Sequence, residues 1–292
     1  MSNKVKGTLA VLIAAMIWGG GFIATSKSLD SFPTLTMLAI RFSLSAILIL
    51  LLFFKRIKLM KRQEFLKALP LGVFLFLAFA TQTYGLNFTT VSNNSFLTAM
   101  NVVFTPYLGW LLYKKKPSKT IFFASVLSLI GVSLLTLNGF SFKLNIGDGI
   151  TLIAAICFSL HVLWASKVSN IDHVITTFVQ MSVAGVISLI GALLFDSEIK
   201  EVSLSSLYSL VYLIIVATVV SYLLQMYGTK HISPSMVSIL LSTEAVFATI
   251  LSVILLGEKI DIKSFISILL MSIAVFISSR DESALDTIEE PV

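Results

Sequence analysis

"LIAAMIWGGGFIATSK" occupies residues 12–27, and "LIAAICFSLHVLWASK" occupies residues 152–167. LIAA opens both and SK closes both, 140 positions apart. A second pair lies further along: "QTYG" at 82–85 and "QMYG" at 225–228, 143 apart. At that offset Val103-Phe104 also falls on Val246-Phe247, and Phe122 on Phe265. Two nearly equal offsets over most of the chain mark an internal repeat. Residues 1–143 form the first copy and residues 144–280 the second, and an acidic tail, 281–292, follows.

Composition says what each copy contains. Of 292 residues, 57% are hydrophobic and only 12% charged. A water-soluble domain carries about 25% charged residues, so this chain has too few to cover a surface in water. A bilayer removes that need, and apolar runs of about 20 residues span it as helices. Ten such runs are read, at roughly 7–28, 35–54, 69–88, 92–113, 119–137, 148–167, 174–195, 207–228, 234–256 and 262–279. The expected fold is an all-α integral membrane protein of ten transmembrane helices, five in each copy. The first segment, behind Lys4 and Lys6, is longer than a typical signal core and has an internal copy, so it is expected to be retained. The tail, "DESALDTIEEPV", has the composition of a disordered segment.

Five crossings are an odd number, so the second copy enters the membrane from the opposite side. The expected result is an inverted repeat about an axis in the membrane plane, with a substrate site near the midplane between the copies. Inversion makes a demand on depth: Gln82 belongs toward the outer end of its helix and Gln225 toward the inner end. Asn101 and its counterpart Glu244 both belong near the centre. Ten spans also put both termini on one side. A cytoplasmic N-terminus places fifteen Lys and Arg inside and five outside, so the positive-inside rule puts both termini in the cytoplasm. The net charge of +6 is thus a matter of loop anchors rather than of a nucleic-acid partner. The run "YKKKP" (113–117) is one such anchor, with contact to anionic lipid as the alternative.

Residues that are costly to keep in a membrane nominate the site. Glu244 lies mid-segment, and intramembrane carboxylates face a cavity or a partner. Its functional reading is a substrate contact or a proton-coupling site; its structural reading is a polar contact to the fourth segment. Arg41 either snorkels to the surface or holds an internal carboxylate or a substrate anion. It is a charge-pair candidate. Asn94, Thr98, Asn101 and Thr105 are spaced by four, three and four, which puts them on one helix face. Such a polar stripe lines a cavity or bonds to a neighbouring helix. His161 aligns with Gly21 and is either a proton sensor or a structural, hydrogen-bonded residue. Trp18, Tyr84 and Tyr107 are candidates for aromatic walls, or for the interfacial belt. Gln82 and Gln225 are gate or pocket candidates.

The chain lacks a phosphate-cradling glycine-lysine loop and metal-ligand spacing among His161, His173 and His231. It also lacks a serine-histidine-acid set, so no cofactor, metal or enzymatic activity is expected. Cys157 is the only cysteine, which excludes an intrachain disulfide.

Several stretches carry a family resemblance: "IWGGGFIATSK" (17–27), "RFSLSAILIL" (41–50), "SNNSFLTAMNVVFTPYLGWLLYKKKPS" (92–118) and "STEAVFATILSVILLGEK" (242–259). With ten helices in two repeats, the chain resembles the EamA-type branch of the drug/metabolite transporter superfamily over nearly its whole length. Members commonly carry proline after the glutamate of the ninth helix; here that position is Ala245, which removes the usual source of a kink. The resemblance implies a secondary carrier of the bacterial plasma membrane that works by alternating access, and, since related carriers tend to have arginine at the position of Arg41, a structural role for that residue. It implies export of amino acids or similar amphipathic solutes, by exchange or by the proton gradient. A cationic, drug-like solute is the alternative substrate, and a channel or an intramembrane enzyme the rival class. The expected partners are the small-molecule substrate, the bilayer and, as the candidate coupling ion, protons, with monomer and homodimer left open.

Overall fold

The computed structural model describes residues 2–280 except 90, 115, 137–144, 197 and 257–261. The acidic tail therefore lies outside the described residues. Every regular element among them is helical. Eight helices, or continuous pairs and runs of helices, are long and apolar enough to cross a membrane. Two further apolar stretches are shorter, Lys119–Leu134 and Pro234–Ala248.

The helices begin where the sequence supplies caps. α1 (Asn3–Gly19) starts behind Ser2, whose hydroxyl accepts from the Val5 amide, and α2 (Gly21–Leu29) continues it. α3 (Thr34–Ile57) follows Pro33, and α4 (Arg62–Leu86) contains Pro70. α5 (Val91–Ala99) and α6 (Asn101–Tyr113) continue one another, and α7 is Lys119–Thr136. α8 (Ile146–Lys167) opens on a reciprocal cap: Asn145 accepts from the Asp148 amide, and Asp148 accepts from the Asn145 amide. α9 (His173–Phe195) is capped by Asp172 and α10 (Leu204–Ile214) by Ser203. A π-turn, Ile215–Val220, joins α10 to α11 (Ser221–Gly228). α12 (Pro234–Ser242) starts with Ser233 as cap and Pro234 at its first position. α13 (Glu244–Leu256) and α14 (Ile262–Ser279) complete the chain.

The principal helix pairs run antiparallel. At one end of α3 and α9, Asp196 Oδ2 accepts from the Thr36 amide at 2.6 Å and from its hydroxyl at 2.8 Å. At the other end, Arg56 lies 3.7 Å from Asp172. In α4 and α8, Gly85 meets Gly147 at one end, and Trp164 donates to the Lys67 carbonyl at the other. The α1–α2 run packs likewise on α10–α11. Gly7 meets Gly228 near one end, and Ser206 donates to the Lys27 carbonyl near the other. α7 packs against α14, with Gly131 against Met271 and Ser267.

The glycines of "QTYG" and "QMYG" thus serve one purpose. Each lets two helix backbones approach closely at a crossing: a Cβ on Gly147 would sit 2.7 Å from the Gly85 carbonyl oxygen, and one on Gly228 3.0 Å from that of Gly7. The outer surface is apolar, with Leu193 80%, Phe195 74% and Leu51 72% exposed. A monomer in water rarely shows such a belt, whereas acyl chains solvate it.

Candidate functional site

Besides a kink in α3 at Phe53, four helical runs are interrupted: at Gly20, at Met100, at Thr243 and at the π-turn Ile215–Val220. The interruptions free backbone groups that neighbours then use. Trp18 Nε1 donates to the Ala217 carbonyl at 2.6 Å, inside the π-turn. Tyr212 donates to the Ile17 carbonyl at 2.6 Å, beside the break at Gly20. The break at Thr243 needs no proline. Ser242 and Thr243 turn their hydroxyls back onto the Ile239 and Leu240 carbonyls at 2.7 and 2.6 Å, a bonding pattern that bends helices.

Between these runs lies a cavity of about 890 Å³, open solvent included. It brings together most of the residues nominated above: Trp18, Gln82, Asn94, Thr98, Asn101, His161, Gln225 and Glu244, and Arg41 with them. Tyr84 and Tyr107 are not among its lining residues, and both stand partly exposed on the surface. Tyr107 packs its ring edge against Phe122. The cavity also gathers residues that the sequence did not single out, among them Phe79, Phe158 and Tyr222.

The hydrogen bonds sort the polar wall. Asn94 Nδ2 donates to the Gln82 carbonyl and to Thr151 Oγ1, both at 2.9 Å, which ties α5 to α4 and α8. Gln82 Nε2 donates to Thr98 Oγ1 at 3.1 Å. Thr105 does not line the cavity; it bonds back to the Asn101 carbonyl at 2.7 Å, and Ser159 reaches the same carbonyl. His161 Nε2 lies 2.6 Å from Gln180 Oε1, so the histidine has a partner on α9.

Arg41 is buried, and its Nε donates to Thr218 Oγ1 at 2.7 Å, inside the π-turn. Its guanidinium lies over the Phe79 ring at 4.6 Å and near the Phe42 ring at 5.5 Å. Among the described residues, ion pairs form at Arg56, Asp172 and His173, and none at Arg41 or Glu244.

Three aromatic contacts wall the cavity: Trp18 to Tyr222 at 5.0 Å, Phe79 to Phe158 at 5.3 Å, and His161 to Tyr222 at 6.0 Å between centroids. The "GGG" run reads residue by residue. A Cβ on Gly19 would sit 2.9 Å from the Glu244 carbonyl oxygen, so this glycine lets α1 press against the start of α13. Gly21 meets nothing within 4 Å, since it faces the cavity. Among the described residues, no three His, Cys, Asp or Glu side chains gather as a metal site requires. The cavity offers groups suited to recognition: one carboxyl, one imidazole, one guanidinium, several amides and hydroxyls, and aromatic walls.

Comparison with known proteins agrees with this picture. Residues 5–137 and, separately, residues 145–280 match the model of the EamA-like transporter family. An uncharacterized transporter of Archaeoglobus fulgidus is 29% identical over 277 residues, covering 95% of this chain and 87% of that protein. The uncharacterized inner membrane transporter YicL of Salmonella typhimurium is 26% identical over 300 residues, 96% and 97% of the two chains. The uncharacterized transporter YetK of Bacillus subtilis is 25% identical over 294 residues, 94% and 88% of the two. A crystal structure 14% identical in sequence shares the fold, with a TM-score of 0.79 over 93% of this chain and 95% of that one.

Proposed function

Because the chain belongs to the EamA-like transporter family, we propose that it is a secondary carrier that exports a small amphipathic metabolite, an amino acid or a relative of one. It works by alternating access across the bacterial plasma membrane, with both termini cytoplasmic. It has ten transmembrane helices in two inverted repeats, residues 1–143 and 144–280. One observation carries the reading: duplicated positions converge on one cavity, Gln82 with Gln225 and Asn101 with Glu244.

Three further observations support it. The family model matches the chain twice, once in each half. The equivalent helices α3 and α9 run antiparallel, as inversion demands. The breaks at Met100 and Thr243 lie 143 positions apart, the offset of the sequence repeat. Discontinuous helices around a midplane site are a recurring carrier device. The Salmonella relative's name carries the words inner membrane, in line with the proposed location. Glu244 also suits a solute that is only cationic, which is the second reading; Arg41 in the same cavity weighs against it.

Counterflow in proteoliposomes tests the carrier. A preloaded amino acid should drive saturable uptake of its labelled form. Non-saturable flux indicates a channel, and turnover of a lipid or peptide by the purified protein indicates an enzyme. Orientation has its own test, in a Cys157→Ala background. Gln82→Cys should react with an impermeant maleimide from outside the cell, and Gln225→Cys from inside; the opposite pattern reverses the orientation.

A further inference from the structure

The cavity holds one fixed cation and one acid, Arg41 and Glu244. Neither has an ion-pair partner among the described residues. Burying an unpaired charge is costly, and the protein has not relieved that cost by placing the two against each other. What relieves it is a solute that brings the opposite charge to each.

Arg41 is prepared for a carboxylate. Thr218 occupies its Nε at 2.7 Å, and rings lie near the guanidinium at 4.6 and 5.5 Å. The bond and the rings fix the direction of the planar group. With Nε engaged, the two terminal nitrogens offer the end-on fork that takes both oxygens of a carboxylate. The Thr218 contact itself spans 177 residues in sequence and depends on the π-turn of the other half. Glu244 supplies the opposite pole. In the same cavity, Trp18, Phe79, Phe158 and Tyr222 offer apolar wall.

We propose that Arg41 and Glu244 read the two ends of one zwitterionic solute, the guanidinium taking its carboxylate and the glutamate its ammonium. Arg41 is then a substrate ligand and specificity residue rather than a structural one. A solute that is only cationic leaves Arg41 without a partner and adds a like charge to its cavity. A solute that is only anionic does the same to Glu244. The inference rests on the carrier reading above and deepens it.

The test uses the purified full-length chain, in thermal-shift and counterflow assays. The common amino acids are screened first. The best of them is then compared with three matched compounds: its primary amide, which lacks the carboxylate; its deaminated acid, which lacks the ammonium; and its decarboxylated amine. For phenylalanine these are phenylalaninamide, hydrocinnamate and phenethylamine. The expected result is that the zwitterion binds at least about tenfold more tightly than each of the three, the worth of one charge-assisted hydrogen bond.

Arg41→Gln should bring the amino acid and its amide to equal affinity. Thr218→Val, which leaves the charge but frees its direction, should narrow the preference without abolishing it. Should Arg41→Gln not fold, the wild-type compound series and Thr218→Val still decide the matter. Equal binding of amide and amino acid by the wild-type protein overturns the proposal. So does saturable counterflow of another solute with no response to any amino acid, a result that leaves the carrier intact. Absence of any counterflow, with or without binding, instead removes the carrier.

Discussion

Glu244→Gln should abolish transport, or strip it of its pH dependence, in a protein that still folds. The side chain keeps its shape and loses only its capacity for charge. A hydrogen bond to a charged group is worth about 1.5–3 kcal/mol, so solute affinity should fall roughly ten- to hundredfold. The fold should not suffer, because an acid held in a membrane is a cost rather than a support. Melting temperature in detergent should stay the same or rise. Uptake into proteoliposomes across a series of pH values checks both parts. A variant that transports at the wild-type rate, with the wild-type pH profile, removes Glu244 from the mechanism.

The second large effect belongs to Gly85. Alanine favours helix over glycine by about 1 kcal/mol, so propensity alone makes Gly85→Ala stabilising. Packing reverses the sign. The added methyl overlaps Thr151 Oγ1 and sits 3.0 Å from the Gly147 carbonyl and 3.4 Å from Asn94 Nδ2. Thr151 has little freedom to yield, since it donates to the Gly147 carbonyl and accepts from Asn94. Overpacking costs about 1–3 kcal/mol, and here a hydrogen-bonded junction of three helices breaks as well. Net destabilisation should show as a lower melting temperature. Gly21→Ala is the matched control, with open space around it, and should be neutral or mildly stabilising. A Gly85→Ala variant as stable as Gly21→Ala would mean that the crossing of α4 and α8 is looser than described.

The helical membrane architecture was legible because it follows from solvent. A chain with 12% charged residues has few other ways to satisfy its backbone than helices in lipid. The cavity was legible in part through the repeat: an offset of 143 pairs Gln82 with Gln225 and Asn101 with Glu244, and all four line it. Other features left no pattern to read. "IVATVV" at 215–220 is an apolar run like many others, and nothing local marks it as a π-turn. Thr218 gains its meaning only from Arg41, far away in sequence. Phe79, Phe158 and Tyr222 are three aromatics in an aromatic-rich chain, distinguished only by the space they face. Tyr84, two residues from Gln82, turns to the surface, because neighbours on a helix point in different directions. Asn94 lies at the cavity edge, yet its amide nitrogen is spent on joining helices. The interruption at Thr243 arose without the proline that would have announced it.

The interruptions at Gly20, Met100, Thr243 and the π-turn all fall where the cavity lies. Stiff rods that must slide past one another pay for every ångström of contact they shear. Here the rods are already jointed, and at the joints the backbone bonds are irregular before any movement starts. In the proposed carrier, each short segment would swing about its own elbow while the pairs α3 with α9 and α4 with α8 hold still. For the carrier proposed above, this would set the barrier to turnover by a handful of hydrogen bonds exchanged at the elbows, rather than by the area of whole interfaces.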